Sequence, residues 1–362
     1  MLVIIFRNII MIIKKNIFSL IFVKDSVCNW FSQFKSFFFW ETNIQKVSHV
    51  YADAKFDVDN VTEHSFVQGV LLGNCGMIAA MASLANNREL LNNVVPRDQN
   101  FKIYSISEKS SLRDHEEMSE FSFQLYKNGK PHVLVVNEKL TFWNWTIPFF
   151  WNTLYYSCSC NQNFVGPLLE KALIELLFKG NYELAKGVNA VNIFTCFSNS
   201  LFEEIHYSDL GNFGFKLKDV ITHGIKTNSL MVVDFKDNAS NVNILDLHYY
   251  SLIDYKDDML KLYNPHGENI MIPINTFIES FKKLTISYID NQIFRIPKLN
   301  TFVEFANTWN ESKKQKGISY VLYDLIVEED NTEVLINILK NYMDSARLIV
   351  IVPINNTTTN TK

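Results

Sequence analysis

Apolar side chains fill nearly every position from 77 to 84, where Ser83 alone interrupts Met77, Ile78, Ala79, Ala80, Met81, Ala82 and Leu84. A tight Gly73-Asn74 turn precedes this run and polar Asn86-Asn87 follows it. The pattern predicts a helix that opens on or next to Cys75 and is apolar on most sides, which places it inside a fold. A second helical segment at 88–93 ends at Val95-Pro96. Strand-like text follows at 101–106, at 120–126, where Phe121, Phe123 and Leu125 alternate onto one face, and at 132–140. The next strong period is helical. Across 164–187, Leu168, Leu169, Ala172, Leu173, Leu176 and Leu177 recur at helical spacing, Glu170, Lys171 and Glu175 point outward, and Gly180 stops the helix.

Beyond a mixed stretch, strands are expected at 230–234, 244–253 and 259–263, the last running into the turn Asn264-Pro265-His266-Gly267. A short strand at 270–272 and a helix at 274–284 complete a β-rich second half. Helices first and an antiparallel sheet second read as an α+β fold of two subdomains with a cleft between them. The expected boundaries are an apolar N-terminal extension over 1–46, a helix-bearing subdomain over 47–155, a sheet-bearing subdomain over 156–292, and a short C-terminal segment over 293–362. In that last segment 320–327 and 346–352 read as strands around a helical 332–342. The aromatic text of 142–156, with Trp143, Trp145, Phe149, Phe150 and Trp151, suits hydrophobic core or a substrate-facing loop. Residues 26–39 carry no turn signal from which to assign an element.

Residues 1–23 are strongly apolar but broken by Arg7-Asn8 and by Lys14-Lys15-Asn16, so neither run reaches the ~20 residues of a spanning helix. With no small-residue cleavage site after them, an interfacial membrane anchor or an extension laid on the body is preferred over a signal peptide.

Charge adds an exclusion. The 362 residues carry 34 Lys and Arg against 38 Asp and Glu, a formal net charge of −4, and no basic run stands out. Binding of nucleic acid through bulk charge is therefore not expected. Nearly half of the residues, 48%, are hydrophobic, enough for a sizeable core. The five cysteines, Cys28, Cys75, Cys158, Cys160 and Cys196, are odd in number and scattered, which points to a reducing, cytoplasmic setting rather than a disulfide framework. Cys158-Ser159-Cys160 has no partner at zinc-ligand spacing, so no metal site is expected.

Candidate chemistry centres on Cys75. A thiol in the first turn of a helix sits by unpaired backbone N–H groups and the positive end of the dipole, which favours thiolate. A nucleophilic cysteine also needs an imidazole, a group to orient it, and oxyanion donors. His248, in LDLHYYSLID, and Asn264, at the end of the next strand, are placed to meet across neighbouring strands. Gln68, just before the helix, offers a side-chain amide beside the Cys75 N–H. Each also has a plain reading: a buried thiol, a satisfied half-buried histidine, the Asn of an Asn-Pro turn, and a surface glutamine.

Taken together these stretches resemble the calpain family of papain-like cysteine proteases, from roughly 47 to 289. QGVLLGNCGMIAAMASLANNRELLNNVVP is similar to the family's nucleophile block, and FVGPLLEKALIELLFKGNYELAKG to its interdomain helix. His248-Tyr249-Tyr250-Ser251 resembles the His-Ala-Tyr-Ser block, and Tyr263-Asn264-Pro265-His266-Gly267-Glu268 the Arg-Asn-Pro-Trp-Gly-Glu block. The resemblance implies the calpain-type protease core of two subdomains. It implies Cys75 as nucleophile, His248 as general base and acid, Asn264 as its orienter and Gln68 as oxyanion donor. The activity implied is calcium-dependent-type cysteine endopeptidase action on intracellular proteins through an acyl-enzyme. The alternative is a catalytically impaired calpain-like module that binds peptides or proteins.

Several positions depart from the family's pattern. Gly76 and His266 stand where it has tryptophans, and loss of the second predicts a His–Asn pair more open to water. Leu247 replaces a glycine, and Gln68 lies one residue further from Cys75. Calcium is implied by the resemblance alone, and its usual acidic ligand just upstream of the glutamine is not matched at Ser65 or Phe66. No other cofactor is expected. The partners expected are protein or peptide substrates, no nucleic acid, and membrane contact through residues 1–23.

Overall fold

The computed structural model of the chain describes residues 41–69, 73–102, 118–127, 129–144, 153–157, 162–198, 200–207, 217–236 and 248–289. Expectations for residues 1–23, 26–39, 103–106, 145–152, 158–160, 244–247 and everything beyond 289 fall outside these. Elements are labelled in chain order. The described residues have the expected α+β character, with helices and antiparallel sheets.

Contacts divide the chain into two units. In one, β1 (Glu41–Lys46), β4 (Lys139–Asn144) and β5 (Thr153–Leu154) form an antiparallel sheet in the order β1-β4-β5, with the short helix α1 (Val47–Val50) following β1.

The other unit is built on α2 (Cys75–Ala85). Every side chain of this helix is buried except the half-buried Cys75, because its sequence supplies no polar face. Helix α3 (Arg88–Val94) follows at once, capped by Asn87, whose side chain accepts from the Leu90 N–H. A hairpin of β2 (Glu120–Lys127) and β3 (Lys130–Asn137) buries Phe121, Phe123 and Leu125, as the alternation predicts. Then come α4 (Val165–Phe178), α5 (Ala190–Phe197) and α6 (Leu217–Lys226).

Six antiparallel strands form the main sheet in the order β10-β9-β8-β7-β11-β6. They are β6 (Leu201–His206), β7 (Leu230–Phe235), β8 (Tyr249–Lys256), β9 (Met259–Asn264), β10 (Glu268–Pro273) and β11 (Phe281–Tyr288), with α7 (Ile274–Ser280) before the last. Strand β7 is buried along its whole length. Its alternate residues Met231, Val233 and Phe235 join a core with Val220 and Ile221 of α6 and Phe277 of α7. Its opposite side meets α2, where Ser83 Oγ accepts from the Met231 N–H at 2.9 Å. Ser251 Oγ on β8 donates to the Ala79 carbonyl. Each fully buried aliphatic or aromatic side chain in this core contributes about 1.5–3 kcal/mol, and the two hydroxyls fix the helix against the sheet.

Four expectations need correction. The strand expected at 132–140 is two strands, broken at Glu138, a fully buried residue whose carboxylate accepts from the Ser119 N–H. The helix expected at 274–284 stops at Ser280, because Phe281 is extended and begins β11. The strand expected from 244 is described only from Tyr249, so His248 precedes β8 rather than lying within it. The mixed stretch that gave no element holds α5, β6 and α6.

Candidate active site

Cys75 is the first residue of α2. The Asn74 carbonyl accepts from the N–H groups of Met77 and Ile78 at 2.9 and 3.1 Å, so the helix is wound from the residue before the thiol. The Asn74 side chain does not cap the helix. It turns inward and its Nδ2 donates to Glu170 Oε1 at 2.8 Å. The other Glu170 oxygen accepts from the Ser157 N–H. Glu170 is fully buried, and burial pushes its carboxyl up to about 7, against the pull of these donors.

That corrects the outward orientation expected for Glu170. Helix α4 is buried on most sides, and Gly166, Glu170 and Ile174 share an inward stripe. The backbone of Gly166 lies against the Ser65 carbonyl, closely enough that a Cβ there would sit 2.4 Å from the oxygen. A glycine and an isoleucine four residues to either side of the glutamate were the signal in the sequence that its face is covered.

Backbone donors do act on the Cys75 sulfur: the N–H groups of Tyr249, Gly76 and Cys75 itself all favour the thiolate. Burial is nevertheless the largest effect and holds the thiol above its ordinary value, with the Asp234 charge adding to it. The helix start thus acts in the expected direction but is outweighed. Gly76 has the reason for its identity beside it. A Cβ would lie 2.3 Å from the Val188 carbonyl oxygen and 3.4 Å from the Tyr249 ring, so no side chain fits without moving the backbone.

His248 is brought next to this helix by β8, since the residue after it, Tyr249, gives its N–H to the thiol. His248 Nε2 lies 2.9 Å from Asn264 Oδ1. The same oxygen accepts from the His266 N–H at 3.0 Å, which fixes the orientation of the amide. An oxygen cannot donate, so Nε2 carries the hydrogen and Nδ1 is left as the basic atom. Burial, then the neighbouring His266, lower His248 to about 3, opposed by the Asn264 hydrogen bond. Burial thus favours the neutral forms of both groups, thiol and imidazole.

The His–Asn pair is not open to water. His248 and Asn264 are 7% and 6% exposed. His266 replaces the missing cover: its ring stacks on His248 with centroids 4.8 Å apart and planes at 9°.

Gln68 reaches the same place from the other side. Its backbone N–H donates to the Pro265 carbonyl at 2.7 Å. The segment before it is tied down by Tyr263 Oη, which donates to the Phe66 carbonyl at 3.0 Å, and by a Lys261–Glu63 ion pair at 2.8 Å. Cys75, His248, Asn264 and Gln68 belong to one unit of the structure, in which the Tyr249 backbone adjoins the thiol and the Pro265 carbonyl adjoins Gln68. Residues 70–72, which absorb the extra spacing of Gln68, and Leu247 lie outside the described residues.

Among the described residues just upstream of Gln68, none is placed to serve as the implied calcium ligand. Ser65 uses its Oγ to accept from the Thr62 N–H, Phe66 is fully buried, and Glu63 is engaged by Lys261. Among the described residues, no group of three or more His, Cys, Asp or Glu side chains is arranged to hold a metal ion.

A thiol at the start of a buried helix, with an imidazole–amide pair at one end of an antiparallel sheet, is the arrangement that papain-like thiol hydrolases use. The family described as calpain family cysteine protease matches residues 32–271. The chain is 28% identical to human (Homo sapiens) calpain-8 over 229 residues, 59% of this chain and 29% of that protein. It is 26% identical to the calpain-1 catalytic subunit of Rattus norvegicus over 239 residues, 62% of this chain and 30% of that protein. The chain belongs to the calpain family of cysteine proteases, and the fold described is that of the family's protease core. The matched part spans under a third of these relatives' length.

Proposed function

We propose that the chain is a calpain-like cysteine endopeptidase that cleaves proteins or peptides through Cys75, His248 and Asn264. The observation that carries this reading is the 2.9 Å contact of His248 with Asn264, made beside a thiol that the adjacent Tyr249 N–H engages.

From a neutral resting pair, His248 Nδ1 takes the Cys75 proton as the sulfur attacks the scissile carbonyl carbon. The oxyanion is received by the Cys75 N–H and the Gln68 side-chain amide. The tetrahedral intermediate collapses to a thioester, and the leaving amine takes its proton from His248. Water, deprotonated by the same imidazole, then hydrolyses the thioester and restores the thiol. Asn264 holds the tautomer that leaves Nδ1 basic. No step is routed through calcium. The substrates proposed are intracellular proteins, with the chain cytoplasmic and residues 1–23 in contact with a membrane surface.

The test is labelling by a peptidyl epoxide, comparing wild type with Cys75→Ala and His248→Ala, with calcium and with chelator. Modification confined to Cys75, dependent on His248 and equal in both buffers is expected. Labelling of Cys75 no faster than of the other four cysteines would transfer the reading to a peptide-binding module without turnover.

A further inference from the structure

The proposed triad has a fourth member in contact with it, His266, and two independent contacts define its place. Its backbone N–H donates to Asn264 Oδ1, the atom that also takes the His248 Nε2 hydrogen. Its ring lies flat on the His248 ring, with centroids 4.8 Å apart. The backbone therefore fixes the orienting amide while the ring covers the imidazole. The two partners differ in access: His248 is buried, whereas His266 is exposed to solvent.

We propose that His266 is a positioning residue of the triad whose neutral ring seats His248 for proton transfer and whose protonation opposes that transfer. The inference rests on the protease reading. When His248 accepts the Cys75 proton it becomes a cation. With His266 neutral, that charge forms against an aromatic face. With His266 protonated, a second cation would form 4.8 Å from the first, and like charges at such separations disfavour each other strongly where water is excluded. The consequence falls on the thiolate–imidazolium state and leaves the neutral thiol–imidazole state, which carries no charge on His248, much less affected. Reactivity should therefore fall as pH drops through the His266 titration.

The surrounding elements contribute other ionisable groups. Cys75 comes from α2, His248 and Tyr249 from the start of β8, and Asp234 from β7, where its charge acts on both Cys75 and Tyr249. Glu63 and His64 come from the segment before Gln68, with Glu63 paired to Lys261 of β9, and the exposed Glu268 follows His266 in its own turn.

The experiment uses the full chain and two readouts that need no peptide turnover. Carbon-bound ring protons of His248 and His266 are followed by NMR across pH 4–9, assigned with the His248→Gln and His266→Phe variants. The rate of Cys75 alkylation by iodoacetamide is measured over the same range in wild type, His266→Trp and His266→Phe. Coupling predicts that His248 signals move with the His266 titration. It also predicts that the ratio of alkylation rates at pH 5.5 and pH 8 rises by about tenfold in either aromatic variant, the factor equivalent to about one unit of pKa. The second aromatic variant covers the case in which an indole is not accommodated.

If His248 signals ignore the His266 titration, or if both variants keep the wild-type ratio, His266 is a structural cover only and the proposal fails. Coupled titration in a chain that cleaves no peptide would retain the positioning role and sink the protease reading alone.

Discussion

Gly76 shows how a single residue records its surroundings. Where the family carries a bulky tryptophan, this chain brings the Val188 carbonyl against the helix, and a Cβ at Gly76 would stand 2.3 Å from that oxygen. Since this is backbone against backbone, the strain has no flexible side chain to absorb it. Gly76→Ala should lower stability by about 1–3 kcal/mol, although alanine is the better helix former. The same displacement reaches the Tyr249 ring and through it the N–H that meets the thiol. Urea unfolding and the Cys75 alkylation rate measure both consequences, and an alanine variant as stable as wild type would show that the contact is loose. Asn264 gives a second prediction. Asn264→Ala removes the acceptor of both His248 and His266 and frees the imidazole to change tautomer. Under the proposed protease reading, peptidase kcat should fall by about 100-fold, on the scale of a lost general-base contribution, with a much smaller change in KM.

Between elements, the decisive contact is that of α2 with the sheet. Ser83 is the one polar interruption in the apolar run, and its hydroxyl takes the Met231 N–H of β7. Ser83→Ala leaves that buried N–H without its acceptor and should cost about 1–3 kcal/mol, measured by the denaturation midpoint. Ser83→Thr, which keeps the hydroxyl, should lose less if the added methyl is accommodated. The elements that were legible in the sequence are those whose pattern had one explanation. Helix α2 is apolar all round, β2 alternates, β7 is a short apolar run, and β9 runs straight into the Asn264-Pro265 turn signal. The elements that were not legible carry patterns with two explanations. Ile274, Phe277, Ile278 and Phe281 keep a helical period, yet Phe281 is the residue at which the backbone turns extended and pairs with β7. Tertiary pairing on both sides of β11 overrides the local period there. At the candidate site, Cys75, His248, Asn264 and Gln68 drew notice through their order along the chain, and of these the His248–Asn264 contact is seen directly. Glu170 was not, because a charged residue in an amphipathic helix is ordinarily solvated, and it is the Asn74 amide and the Ser157 N–H that make its burial tolerable.

On the scale of the whole molecule, two buried ionisable groups set opposing pH dependences of stability. Glu170 has its folded carboxyl raised from 4.5 to about 7. Between those values the folded state holds a proton that the unfolded state has lost, so its contribution is complete below pH 4.5 and is lost as pH rises to about 7. His248 runs the other way, lowered from 6.5 to about 3. There the unfolded state holds the extra proton, so stability is complete above pH 6.5 and is lost as pH falls toward 3. From pH 4.5 to 6.5 the two slopes, each about 1.4 kcal/mol per pH unit, cancel. Removing either group should expose the other. In Glu170→Gln, stability relative to wild type should climb with pH across that window, by roughly 3 kcal/mol in all. In His248→Gln it should decline by a similar amount. Urea midpoints at pH 4.5, 5.5 and 6.5 for the three proteins decide the matter. Slopes that stay parallel would mean that neither group is held in its neutral form by the fold, and opposite tilts would mean that the buried Glu170 carboxyl and the buried His248 imidazole are linked to folding.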